Sequence, residues 1–140
     1  MSVQAVLLPL FVEVVLTFVL LFWMAQLRTA AFASGTVTPR DIALREPNWP
    51  PRATQIGNAF HNQLEVPILF YVLTILAWVT RQADLVFVIM AWIFVAARLV
   101  HAFIHTTHNR VRRRGLAYIV GVIVLALMWL IFMARILIGL

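Results

Sequence analysis

The chain has 140 residues, 64% of them hydrophobic, and a mean hydropathy of +0.97; soluble domains run at roughly 45–50% apolar, so an ordinary soluble domain is excluded, and the length allows one domain. There is no cysteine, which excludes disulfides, thiolate metal sites and a cysteine nucleophile. The net charge of +6 comes from eleven arginines, with no lysine, and is concentrated in connecting segments, so it does not imply nucleic-acid binding.

Four apolar segments follow one another, at about Val3–Leu27, Leu64–Thr80, Leu85–Ile104 and Leu116–Leu140. Each is near the roughly 20 residues that cross ~30 Å of hydrocarbon. They predict membrane spans at about 3–27, 56–80, 84–106 and 115–139, with a polar lead-in to the second from Arg52. The first lacks a basic leader and is too long for a signal-peptide core, so it is read as a span that is not cleaved, although Ala31–Ala33 imitates a cleavage site.

The long connection, 28–55, carries Arg28, Arg40, Arg45 and Arg52; Thr38 and Pro39 are expected to open a short helix through Arg45 that Pro47, Pro50 and Pro51 stop. The third connection, 106–114, carries Arg110, Arg112, Arg113 and Arg114, and the second only Arg81. The positive-inside rule then places 28–55 and 106–114 in the cytoplasm and both termini outside, in a bacterial inner membrane. The fold class is all-α: a single-domain, up-down, four-helix membrane bundle in contact with lipid.

Ionisable groups inside spans are costly and usually face the bundle interior. Glu13 and Arg135 are expected to form a structural ion pair, within or between subunits. On the second helix Asn58, His61, Asn62 and Glu65 fall at i, i+3, i+4 and i+7, which is one face. On the third, Arg98, His101 and His105 do the same. Two polar stripes at matching depth predict one shared chamber; the plainer alternative is that they only join helices, with Glu65 paired to Arg98. Pro67 is expected to bend the second helix, since it removes the bond to the carbonyl of Gln63.

His101, His105 and His108, with His61 and Glu65, have spacings a metal can use. Four histidines are far fewer than membrane di-iron enzymes carry, so no metal is expected. The run His108–Gly115 reads first as a topogenic positive loop. Arg110 and Arg114 nonetheless share a face with His101 and His105 if the third helix continues into the loop, and there they would stabilise a thiolate or alkoxide.

Three pieces of sequence resemble one family. Asn62–Phe70, NQLEVPILF, is similar to an Asn-x-x-Glu-x-x-Pro pattern on a second helix. Arg98–Gly115 looks like a third-helix signature of arginine, then histidine or tyrosine three on, then loop arginines, and Arg28–Ser34 is similar to a first-helix end. These resemble the membrane-associated proteins in eicosanoid and glutathione metabolism (MAPEG), over nearly the whole chain.

The resemblance implies a homotrimer that binds glutathione between subunits and receives lipophilic substrates from the bilayer. It implies that Asn62 and Glu65 contact glutathione, Glu65 through the amino group, and that His101 is a binding residue. Arg110 or Arg114 would hold the thiolate, and Arg28 would reach the carboxylates. Asn58, His61, Arg98 and His105 complete the expected binding set. Relatives often carry arginine where this chain has Asn58 and His61, and tyrosine where it has His105. The expected function is therefore a glutathione-dependent transferase or peroxidase acting on lipophilic electrophiles. The alternative is a non-catalytic scaffold or accessory subunit that keeps the bundle with an altered ligand site.

Overall fold

A computed structural model describes all 140 residues. Helix α1, Val3–Ala33, starts where the Ser2 hydroxyl accepts the Ala5 N–H at 3.2 Å and outruns its apolar stretch. The next turn is 3₁₀, Pro39–Ile42, and not a helix reaching Arg45. The Asp41 carboxylate folds back to accept the Thr38 N–H at 2.8 Å and its hydroxyl at 2.9 Å. Those bonds hold its carboxyl below the usual range, and Arg45 then leaves helical space altogether, with φ 62°.

Helix α2, Pro51–Asn62, and helix α3, Val66–Val79, form the second crossing. The bend expected at Pro67 is a full break over Gln63, Leu64 and Glu65. Proline at the second position of α3 offers no N–H to the Gln63 carbonyl, so α2 ends and α3 begins afresh. Helices α4, Leu85–Thr106, and α5, Val111–Ile138, complete the chain. The protein is thus all-helical, with four stretches long and apolar enough to cross a membrane.

Helix α4 is the hub of the bundle, packing on α1, α2 and α5. Its buried residues Phe87, Val88, Ala91, Phe94, Val95, Arg98, His101, Ala102 and His105 repeat every three to four positions, a stripe that widens in the last turn, where Ile104 and Thr106 are buried as well. The lower half of that stripe meets Val6, Phe70, Leu73, Ala77, Leu125 and Met128 in the apolar core. The outward faces stay apolar, as lipid contact requires, with Phe22, Val79, Phe103 and Leu130 all more than half exposed.

Arg135 does not meet Glu13. Its Nη2 lies 2.8 Å from Asp84 Oδ2, because the last turn of α5 adjoins the first turn of α4 in an antiparallel pair. Asp84 Oδ1 also accepts the Phe87 N–H at 2.9 Å. Burial pushes the Asp84 carboxyl up, but this bond and Arg135 outweigh it and hold it below the usual range. A depressed carboxyl contributes stability that is present above the unfolded value and fades as pH falls through the folded one. The pair is partly exposed, so Asp84→Ala should cost only about 1 kcal/mol, counting the lost cap, with the deficit vanishing in acid. Thermal unfolding in detergent at neutral and acid pH measures this.

Candidate functional site

At the break between α2 and α3 the last carbonyls of α2 turn to tighter bonds, with Phe60, His61 and Asn62 accepting the Gln63, Leu64 and Glu65 N–H groups at 2.9, 3.0 and 3.4 Å, the last of them long. Arg98 of α4 reaches into the break. Its Nη2 donates to the Asn62 carbonyl at 3.2 Å, to Asn62 Oδ1 at 2.5 Å and to Gln63 Oε1 at 3.1 Å. A guanidinium at a helix C-terminus also meets the negative end of the helix dipole. Helix α2 returns the service. Gln55 donates to the His105 and Thr107 carbonyls at 2.9 and 3.0 Å, and Arg52 to Thr106 at 2.6 Å. Each helix therefore caps the other.

Behind Arg98 lies Glu13, fully buried, with Oε1 3.9 Å from Arg98 Nε. Neither the Glu13 oxygens nor Arg98 Nε has a hydrogen-bond partner in the chain. Arg98 thus pairs with Glu13, and the Glu65–Arg98 pair of the plainer alternative does not form. Glu65 falls in the break and is exposed, because ending α2 at Asn62 takes it off the face it was expected to share.

Arg98 fixes one wall of a cleft of about 250 Å³ lined by Asn62, His101, His105, Val111, Arg114, Gly115 and Tyr118. The Asn62 amide oxygen is taken by Arg98, so its NH₂ is the function left for a ligand. The His101 and His105 rings stand edge to face, 5.5 Å apart, and the Tyr118 ring lies 5.8 Å from His101. Both imidazoles have a buried Nδ1 without a partner.

Arg114 enters from α5, not along a prolonged α4 as the loop pattern suggested. Helix α4 ends at Thr106, and Asn109, at φ 51°, turns the chain. The same Asn109 accepts from Arg114 Nη1 at 2.6 Å and holds the guanidinium in the cleft. Arg110 is exposed at the N-cap of α5 and does not line it.

The single chamber expected from the two stripes is divided. Arg28, Asn58 and His61 line a separate cleft of about 500 Å³ beneath the first loop. No three histidine or carboxylate groups come together as a metal-holding set. Tyr118, Asn109 and Gln63 were not singled out by sequence. Tyr118 stands four residues after Arg114, a spacing that would have placed it on the same face.

The MAPEG family model matches residues 6–134 of the chain. The protein belongs to the MAPEG family. This MAPEG protein is accordingly an integral membrane four-helix bundle of a family with glutathione-related transferase and synthase chemistry. Comparison with individual curated proteins and with solved structures returns no match.

Proposed function

We propose that this MAPEG protein is a membrane glutathione transferase or peroxidase that attacks lipophilic electrophiles, with Arg114 holding the thiolate. The observation that carries this is the Arg114 guanidinium, fixed by Asn109 in a cleft shared with two buried imidazoles and a phenol. The residues fit a small peptide rich in acceptors. Asn62 offers its NH₂, Tyr118 its hydroxyl and Arg114 its charge. Exposed Glu65, at the edge of the break, would take the amino group.

At about 250 Å³ the cleft is smaller than the roughly 300–1,000 Å³ usual for small-molecule sites, and it opens on one side. A neighbouring copy in a homotrimer would supply the missing wall. The glutathione sulfur is the nucleophile. An ordinary thiol, with a pKa of about 8.5, is mostly protonated at neutral pH, and the Arg114 charge favours the anion. Val111 and Leu116, exposed and apolar beside the cleft on α5, give a lipophilic substrate its path from the bilayer.

The purified protein in detergent should be stabilised against heat by glutathione and should conjugate it to a lipophilic halonitroarene. Tyr118→Phe should raise KM for glutathione severalfold, about the loss of one hydrogen bond of ~1 kcal/mol, with kcat nearly kept. Absence of both stabilisation and turnover in the wild type would sink this reading and leave the non-catalytic scaffold.

A further inference from the structure

At the end of α4 the carbonyls of His105, Thr106 and Thr107 receive no backbone N–H. Helix ends of this kind need donors from elsewhere. Here all of them come from α2, 50 or more residues earlier in the chain. Gln55 provides two from one NH₂ group, to His105 O at 2.9 Å and to Thr107 O at 3.0 Å, and so straddles the helix end.

The Gln55 amide is itself oriented. Arg52 Nη1 donates to Gln55 Oε1 at 3.0 Å, which turns the NH₂ toward α4. The Arg52 guanidinium in turn lies over the Trp23 ring of α1, 5.0 Å from its centre. Three helices therefore meet at this one side chain.

What depends on it is the arginine side of the imidazole cleft. Only residues 107–110 join α4 to α5. Within that reversal Ile104 O accepts the Thr107 and Asn109 N–H groups at 3.3 and 2.8 Å, and His108 Nδ1 accepts the Arg110 N–H at 3.2 Å. Asn109 Oδ1 then accepts from Arg114 Nη1. Gln55 holds the chain at His105, whose ring lines the cleft, and at Thr107, two residues before the asparagine that fixes Arg114. Neither Gln55 nor Arg52 lines the cleft. Both reach it only through the backbone of α4.

We infer that Gln55 is a positioning residue for the thiol site, anchoring the α4–α5 reversal from α2 so that Arg114 and His105 keep their places in the cleft. This rests on the proposed glutathione chemistry. A misplacement of about 1 Å caused from outside a site can cost up to about 10²-fold in rate. The test is the pH titration of the ultraviolet thiolate band of glutathione bound to the detergent-solubilised protein, which folding stability alone does not move. In Gln55→Leu, which keeps bulk and loses the donors, the midpoint should rise by about one unit, a tenfold loss of thiolate at a fixed acid pH. Gln55→Glu should behave alike, because its carboxylate still accepts from Arg52 but cannot donate to the α4 carbonyls. Arg52 is exposed, so Arg52→Ala keeps the test decisive if the Gln55 variants fold poorly. It frees the Gln55 amide and should raise the midpoint by a smaller amount. Val95→Ala, in the apolar core, should lower the melting temperature and leave the midpoint in place. A wild-type midpoint in the Gln55 variants or in Arg52→Ala overturns the inference, as does an equal rise in Val95→Ala. Wild-type protein that holds no glutathione thiolate sinks the proposed function itself, a result distinct from failure at Gln55 alone.

Discussion

Replacing Arg114 with alanine is expected to lower kcat/KM for glutathione conjugation by about 10²–10³, the usual loss when one preorganised group is removed from a developing anion. The pH profile separates thiolate stabilisation from mere binding. If Arg114 holds the thiolate, the thiol should ionise below its ordinary value of about 8.5 and the acid limb of the rate profile should lie at lower pH. Without the guanidinium that limb moves up toward the ordinary value. The variant should therefore be most impaired in mildly acid solution and should recover toward wild type in alkali. Arg114→Lys, which keeps charge but loses the planar fork, should fall between the two. Asn109→Ala should produce a smaller loss in the same direction, because Asn109 Oδ1 holds Arg114 Nη1 at 2.6 Å. An unshifted acid limb in Arg114→Ala would remove Arg114 from the thiolate. The same shift appearing in Arg110→Ala instead would transfer the role to Arg110.

The fold was legible because its signal is additive. Twenty apolar residues declare a span whatever they pack against, and four such runs in so short a chain leave a bundle as the solution. The partners of the charged residues were not legible, because they depend on where a helix stops. Counting along an unbroken second helix puts Glu65 on the Asn62 face. A break at Gln63–Glu65 takes it off that face and brings Gln63 into the core. Pro67 announced a disturbance but not its size, since a bend and a break need the same residue. Arg114 illustrates a second limit. Its spacing from His101 and His105 suggested a continued helix, whereas it arrives through a reversal at Asn109, whose left-handed backbone is common for asparagine but not compulsory. Glu13 and Arg135 were matched by charge alone. Antiparallel packing decided otherwise, giving Arg135 to Asp84 at one end of the bundle and Glu13 to Arg98 at its middle.

That central pair carries the second large expected effect. Arg98→Leu should destabilise the protein by about 3–5 kcal/mol, the cost of leaving one member of a buried ion pair alone. Glu13 would remain fully buried with no counterion, and Asn62 O, Asn62 Oδ1 and Gln63 Oε1 would lose their shared donor. Glu13→Gln should cost less. At 3.9 Å the Glu13–Arg98 contact is Coulombic and is not a hydrogen bond, and Arg98 would keep all its amide acceptors. Removing both charges in Glu13→Leu with Arg98→Leu should recover part of the single-variant loss, because no lone ion is left in the bundle. Recovery should be incomplete, since Asn62 and Gln63 at the end of α2 still lack their donor from α4. Denaturant unfolding in micelles measures all three, and glutathione titration tells packing from positioning. The double variant should still bind the thiol more weakly than wild type, because nothing then holds the Asn62 amide with its NH₂ turned to the cleft. An Arg98→Leu protein as stable as wild type, within about 0.5 kcal/mol, would show that Arg98 does not join the break to the rest of the bundle.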